Sequence, residues 1–249
     1  MRNLWWIAIL AAAAAPAQDR LPGQDVNFYR REKEVSLGRQ LAREYRRHTT
    51  PLDNAAFTDY LNRLGARLAG QMPGGWTYSF EIVAADPGEA LHEPAAFPGG
   101  IVFVSAGLLL DARNEAEFAG MLAHSMAHVA ERHGTRLATK TELMQIASIV
   151  SAQAGNGIPN PPVGPQTGIA VAKTKLALER EADALAVKTL AAAGIDPAGL
   201  PSYLSRVEPP PQDRDERVAA MQNAIAELPA AAYQESGEFA RVQASVKAR

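Results

Sequence analysis

Apolar residues recur three and four positions apart in several stretches of the chain, which is the spacing of an amphipathic helix. In the clearest stretch, between residues 57 and 68, the apolar stripe comprises Phe57, Tyr60, Leu61, Leu64 and Leu68. The same spacing, together with capping and stop signals, predicts further helices over about residues 27–48, 115–133, 136–154, 174–193 and 216–228. The chain is therefore predicted to be mainly helical.

Two short segments have the pattern of strands instead. Residues 77–84 carry an apolar side chain at every second position, and Ile101–Ser105 is a β-rich run that follows Pro98-Gly99-Gly100. This pair of strands predicts a small antiparallel sheet beside the helices. We therefore expect an α+β fold, with residues 18–249 forming a single domain.

Two other segments are not predicted to belong to this packed domain. Residues 155–168 are rich in Gly, Pro and Asn and predict a loop that is long enough to be either a mobile cover over a site or a disordered insertion. At the N-terminus, Met1-Arg2-Asn3 precedes an apolar run over residues 4–15 and the small-residue motif Ala15-Pro16-Ala17. The run of about 12 residues is short of the roughly 20 that a membrane span needs. We expect residues 1–17 to be a signal peptide cleaved after Ala17, which implies a periplasmic or secreted protein.

The amino-acid composition limits the kinds of molecule that this protein is expected to bind. The chain has 249 residues, of which 47% are hydrophobic and 21% charged, and its formal net charge of −2 gives no indication of nucleic-acid binding. The first predicted helix carries a local excess of basic residues: Arg30, Arg31, Lys33, Arg39, Arg43, Arg46 and Arg47. Glutamates between them favour a solvated helix face, and contact with an anionic membrane surface or an acidic partner is the alternative. Because the chain has no cysteine, a bound metal must use nitrogen and oxygen ligands.

A pair of histidines is the first candidate for metal chemistry. His124-Ser125-Met126-Ala127-His128 stands where a zinc-peptidase helix has His-Glu-x-x-His. Residues four apart on a helix are rotated by about 400°, or about 40° after a full turn, so both imidazoles can reach one Zn²⁺. The missing glutamate would take a proton from the zinc-bound water, and the hydroxyl of Ser125 cannot do so because it does not ionise near neutral pH.

A second predicted helix offers the carboxylates that such a site needs. Glu179 and Asp183 are four residues apart on one face, so Glu179 can bind the metal while Asp183 accepts the N–H of a ligating histidine. Glu181 is rotated by about 200° from Glu179 and is expected to face elsewhere. Taken alone, this stretch would read as a solvated helix face, but the histidine pair upstream favours a metal site. His133, about 900° around the helix from His124, is expected to point away from the metal.

Five motifs follow one another along the chain. They are Glu34-Val35-Ser36-Leu37-Gly38, Pro98-Gly99-Gly100-Ile101-Val102-Phe103-Val104, residues 123–128 with Arg132-His133, residues 179–183, and Ala193-Gly194-Ile195-Asp196-Pro197. Each short motif is weak alone, but their order and spacing are specific and cover nearly all of the mature chain. Together they resemble the zinc metallopeptidase family that includes the HtpX and BepA proteases and the CAAX prenyl endopeptidase (gluzincin type), and especially its exported bacterial branch.

The resemblance implies a zincin-like metallopeptidase domain that holds one Zn²⁺ per chain. In it, His124, His128 and Glu179 would be the ligands and Asp183 would support them. It also implies that an extended peptide or unfolded protein lies along Ile101–Ser105, as the edge strand of the sheet.

The chain departs from the family pattern at several catalytic positions. Ser125 replaces the base, Glu93 stands where an asparagine commonly leads into the Pro-Gly-Gly strand, and Lys175-Leu176 stands where the family commonly has Ser-Arg. In the family, a histidine later in the chain is the usual donor to a developing oxyanion, but no histidine follows His133 here. That donor would therefore have to be an arginine or tyrosine, with Arg217 the candidate by position. Because several catalytic positions differ together, a single loss at Ser125 that is compensated elsewhere does not explain the pattern.

Other glutamates on the histidine helix do not replace the base. Glu117 and Glu131 each lie seven residues from His124, about 10 Å along the axis, which is too far to share the metal-bound water. Losing a general base typically lowers the rate by about 10² to 10⁴. We therefore favour a pseudopeptidase that retains zinc and a peptide groove. The alternatives are an active zinc endopeptidase of envelope protein quality control and a structural relic without metal.

Overall fold

The computed structural model describes residues 26–85, 93–153, 165–207, 210–211, 213–233 and 235–247. In chain order, the elements of this part are α1 (Arg31–His48), α2 (Ala55–Ala69), β1 (Ser79–Val83), β2 (Ala95–Phe97), β3 (Ile101–Ser105), α3 (Ala106–Asp111), α4 (Glu115–Ala130), α5 (His133–Gln153), α6 (Pro165–Ala192), α7 (Gly199–Arg206), α8 (Arg214–Ala226) and α9 (Glu238–Lys247). The predicted α+β class is confirmed. No helix in these ranges is long and apolar enough to cross a membrane. The predicted signal peptide lies outside the described residues.

Two predicted helices begin where their capping residues stand. The side chain of Asn54 accepts a hydrogen bond from the Phe57 amide at the start of α2. Asn114 does the same for the Glu117 amide at the start of α4. Along α2, all five residues of the predicted apolar stripe are buried. Local spacing and capping therefore account for both elements.

The sheet corrects one prediction. Its strand order is β1-β3-β2, with β1 and β3 parallel and β2 and β3 antiparallel. We expected the two predicted strands to pair in antiparallel fashion, but β2 lies between them in sequence and reverses the chain once more. Gly99 and Gly100, with φ of 90° and 100°, make the turn from β2 to β3, a backbone that favours glycine. β2 escaped prediction because its three residues, Ala95–Phe97, include two alanines, which have little strand preference.

The strand order also overturns the expectation that Ile101–Ser105 is the edge of the sheet. β3 is paired on both sides, and Val102, Phe103 and Val104 are at most 2% exposed. An added peptide strand needs unpaired backbone N–H and C=O groups. The edge strands are β1 and β2. The outer side of β1 is bonded in part to residues 50–52, and the outer side of β2 lies next to the cleft described below.

One predicted loop and the C-terminal segment differ from prediction. The loop predicted over residues 155–168 cannot extend that far, because α6 begins at Pro165, where a proline is tolerated since the first helical N–H has no partner within the helix. Residues 154–164 lie outside the described residues. At the C-terminus α9 was not predicted, yet it buries Phe239 and Val242 against the rest of the core.

The central element of the fold is α4. All of its residues except His128 are buried, and it packs against α6 and α7. The crossing with α7 is close: a Cβ added to Gly199 would lie 2.2 Å from the backbone of Ala116, and one added to Gly120 would lie 2.8 Å from that of Leu200. Small residues at this crossing therefore fix the position of the helix that carries both histidines.

Candidate metal centre

His124 and His128 face each other one turn apart on α4. Their Nε2 atoms are 3.1 Å apart, so both nitrogens point toward the same space. The side chain of His124 is 2% exposed and that of His128 is 21% exposed. The pair is thus held inside the protein and reached from solvent on the His128 side.

Glu179 of α6 completes a group of three donors. Its Oε2 lies 3.4 Å from Nε2 of His124, and its Oε1 lies 3.7 Å from Nε2 of His128. Donor atoms about 2.1 Å from a tetrahedral zinc ion lie about 3.4 Å from one another. The three observed separations agree with this value to within a few tenths of an ångström, and the nitrogen and oxygen donors suit zinc. The residues therefore fit the ion.

The charges of the two histidines differ strongly. Burial disfavours a charged His124, but Asp183 and Glu179 outweigh it and raise its pKa to about 10. Burial and the charge of His124 lower the pKa of His128 to about 3. Without metal, one imidazole therefore carries a proton held by carboxylates and the other is neutral. A cation bound by the pair would replace the proton on Nε2 of His124.

Asp183 and Arg217 lie behind the donors. Oδ1 of Asp183 is 2.9 Å from Nδ1 of His124. Arg217 of α8 donates to both oxygens of Asp183, at 2.7 and 2.8 Å, and its Nη1 lies 3.2 Å from Oε2 of Glu179. Burial opposes ionisation of Asp183, but Arg217 and His124 prevail and lower its pKa to about 2. Arg217 thus contacts two carboxylates of the centre, and its role as an oxyanion donor stays a prediction.

The structure corrects the expected position of His133. α4 ends at Ala130, and Arg132 adopts a left-handed backbone with φ of 59°, so the helical angle could not be extended to His133. Nδ1 of His133 lies 3.1 Å from Nδ1 of His128, and its Nε2 lies 3.3 Å from Glu181. His133 therefore contacts the far side of a predicted ligand instead of pointing away. The signal available in the sequence was Arg132-His133, which trails the histidine pair.

Ser125 is buried and lines the same cleft as His128 and Glu179. Its Oγ has no hydrogen-bond partner among the described residues. Glu117 is engaged elsewhere: it accepts hydrogen bonds from Arg206 and from other groups away from the histidines. The residue after the first histidine therefore offers the cleft a hydroxyl, and Glu117 does not add a carboxylate beside it.

Glu93 is a further candidate ligand, which the sequence marks only as a departure from the family pattern. Its Oε1 lies 3.7 Å from Nε2 of His124, and one donor atom each from Glu93, His124 and His128 lie within 4.8 Å of one another. Glu93 also lines an open cleft of about 400 Å³, together with Ala95 and Ala96 of β2. Two carboxylates, Glu93 and Glu179, thus flank the histidine pair.

Comparison with known proteins agrees with this geometry. The model of Peptidase family M48 matches residues 58–225, about two thirds of the chain. The chain belongs to this family. Peptidases of family M48 are zinc-dependent, which agrees with the donor set found on α4 and α6.

The chain is similar to two curated relatives over part of their length. It is 31% identical over 211 residues to the beta-barrel assembly-enhancing protease of Yersinia pestis, covering 77% of this chain and 42% of that protein. It is 27% identical over 227 residues to the protein of the same name from Escherichia coli (strain K12), covering 81% and 43%. The chain thus spans less than half the length of these M48 relatives.

Proposed function

We propose that this M48 protein binds zinc and extended peptides and hydrolyses peptide bonds weakly or not at all, as a pseudopeptidase. One observation carries the proposal: the donors for the metal are assembled, while Ser125 occupies the position of the general base. A serine hydroxyl does not ionise near neutral pH and cannot take a proton from a zinc-bound water. The structure of the site therefore supports metal binding more strongly than it supports turnover.

Zinc would be held by His124, His128 and Glu179. When bound, it would polarise a peptide carbonyl and make a bound water more acidic. Asp183 lies against Nδ1 of His124, and His133 lies against Nδ1 of His128. Partners at the ring nitrogen remote from the ion fix the orientation and tautomer of each ligand. These residues hold the donors in place whether or not hydrolysis follows.

We propose that the peptide pairs with the outer side of β2, Ala95–Phe97. β2 is one of the two edge strands of the sheet, and the other, β1, is bonded along part of its outer side to residues 50–52. Ala95 and Ala96 of β2 line the cleft that also contains His128 and Glu179. An extended chain added there would gain main-chain hydrogen bonds and pass in front of the histidine pair. Small alanine side chains leave room for the side chains of the bound peptide.

The groove is tested by the Ala96→Trp variant. A tryptophan at this position fills part of the cleft, so we expect a fluorescein-labelled, unfolded casein to bind at least about tenfold more weakly, a loss of about 1.4 kcal/mol. Fluorescence anisotropy measures the affinity, on samples whose zinc content and circular dichroism match those of the native protein. Leu110→Trp, on the exposed side of α3, is the control and should bind as the native protein does. A folded, zinc-loaded Ala96→Trp variant with unchanged affinity would rule out this groove.

The second candidate is an active zinc endopeptidase, and the observation that favours it is the name of the relatives, which are beta-barrel assembly-enhancing proteases. A zinc ion and an aligned peptide would still permit slow cleavage without the base. That name, together with the predicted signal peptide, also supports a location in the bacterial envelope.

A further inference from the structure

We propose that Glu93 is a fourth protein ligand of the metal and occupies the coordination position that a hydrolytic zinc site leaves to water. This inference rests on the proposed zinc shell of His124, His128 and Glu179. Catalytic zinc sites have three protein ligands and an open position, whereas structural sites have four protein ligands. With Glu93 bound, the centre is of the closed kind.

The distances place Glu93 within reach of the ion. Its Oε1 is 3.7 Å from Nε2 of His124, as far as Oε1 of Glu179 is from Nε2 of His128. Tetrahedral donors lie about 3.4 Å apart, and the donor atoms of Glu93, His124 and His128 lie within 4.8 Å of one another, so a shift of about 1 Å brings the carboxylate into the shell. The side chain of Glu93 is 39% exposed, so that shift displaces few packed neighbours.

The backbone of Glu93 is well placed for this role. It directly precedes Pro94, whose ring restricts the conformation of the residue before it. β2 begins immediately after that proline, at Ala95. β2 packs against α4, the helix that carries both histidines. Glu93 is therefore anchored beside the donors, while Glu179 approaches from α6.

The charge of the centre favours a second carboxylate. Two neutral histidines and one glutamate leave a Zn²⁺ site with a net charge of +1, and Glu93 brings it to zero. Behind the donors, Arg217 and Asp183 form a buried pair whose charges offset each other, so the charge of the metal and its own ligands decides whether another anion is favourable. Asparagine, which the family commonly has at this position, would supply no such charge.

A closed site also accounts for Ser125. When a protein carboxylate holds the fourth position, no metal-bound water is available for a base to deprotonate. Glu93 and Ser125 line the same cleft. The two departures from the family pattern therefore have the same consequence, a zinc ion that is held but not used for hydrolysis.

The test compares the native protein with Glu93→Asn. Zinc affinity is measured by competition with a chromophoric chelator, and access to the metal by titrating the cobalt-substituted protein with acetohydroxamate while recording its visible absorption. We expect Glu93→Asn to bind zinc at least about tenfold more weakly and acetohydroxamate at least about tenfold more tightly than the native protein. Glu44→Gln, which changes an exposed glutamate on α1, should alter neither quantity.

A Glu93→Asn variant in which either quantity is unchanged overturns the fourth-ligand assignment. Glu179→Gln, measured in parallel, separates this failure from that of the shell itself. If Glu179→Gln loses zinc while Glu93→Asn does not, the three-ligand shell stands and only Glu93 is wrongly assigned. If Glu179→Gln also keeps its zinc affinity, the proposed shell fails and the inference about Glu93 fails with it.

Discussion

The Ser125→Glu variant is expected to hydrolyse an unfolded protein substrate about 10² to 10⁴ times faster than the native protein, the range that a general base typically contributes. Ser125 follows the first histidine on α4 and lines the cleft beside His128 and Glu179, so a glutamate there would face any water that takes the place of Glu93 on the metal. Glu93 limits that water equally in the native protein and in the variant, so the ratio of their rates reports the base alone. Cleavage of labelled casein, expressed per equivalent of bound zinc, measures the gain.

The matched control is Ser125→Gln, which introduces nearly the same volume without an ionisable group. It should cleave casein no faster than the native protein, because the gain depends on a carboxylate and not on filling the cleft. Combining Ser125→Glu with Glu93→Asn should increase the rate further, since water then replaces a competing carboxylate on the metal. A native protein that cleaves as fast as Ser125→Glu would show that Ser125 is not a lost base.

The Asp183→Asn variant is expected to unfold with a free energy about 3 kcal/mol lower than that of the native protein. The side chains of Asp183 and Arg217 are 5% and 6% exposed, and removing one charge of a buried pair leaves the other uncompensated, at a cost of about 3–5 kcal/mol. The amide keeps one acceptor, so the lower end applies. Guanidinium denaturation with zinc chelated measures the difference.

The control is Glu216→Gln, which breaks an ion pair with Arg180 on the surface, where the glutamate side chain is 71% exposed. Its effect should stay below about 1 kcal/mol. The pH dependence provides a second check. The pKa of Asp183 is lowered from 3.8 to about 2, so its contribution is complete above the unfolded pKa and is lost as the pH falls toward 2. Asp183→Asn should lack this part of the acid destabilisation. Equal losses of stability in Asp183→Asn and Glu216→Gln would contradict the buried pair of Asp183 and Arg217.

Local signals were sufficient for the long helices and for most of the centre, although they did not predict α9. Helix spacing predicted α2 and α4, and the four-residue separation of His124 from His128 and of Glu179 from Asp183 identified groups that the fold brings together. These residues lie within single helices, so the periodicity of one element fixes their relative positions. The pairing of α4 with α6 was not visible in either helix alone and came from the order of the motifs.

Features that depend on breaks in regular structure were missed. The turn at Arg132 ends α4 and folds His133 back on His128, which no helical projection could show. β2 is too short and too rich in alanine to be recognised, and without it the sheet received the wrong pairing and the wrong edge. Glu93 lies just before that strand, so its proximity to the histidines depends on tertiary structure and cannot be derived from spacing.

The central claim is that this chain holds zinc through His124, His128 and Glu179 although its base position is a serine. The most direct test is the zinc content of the purified protein, measured by inductively coupled plasma mass spectrometry after equilibration in zinc-containing buffer and removal of loosely bound metal. We predict one equivalent per chain in the native protein and essentially none in the double variant His124→Ala/His128→Ala. Less than a tenth of an equivalent in the native protein would contradict the account and favour a structural relic without metal.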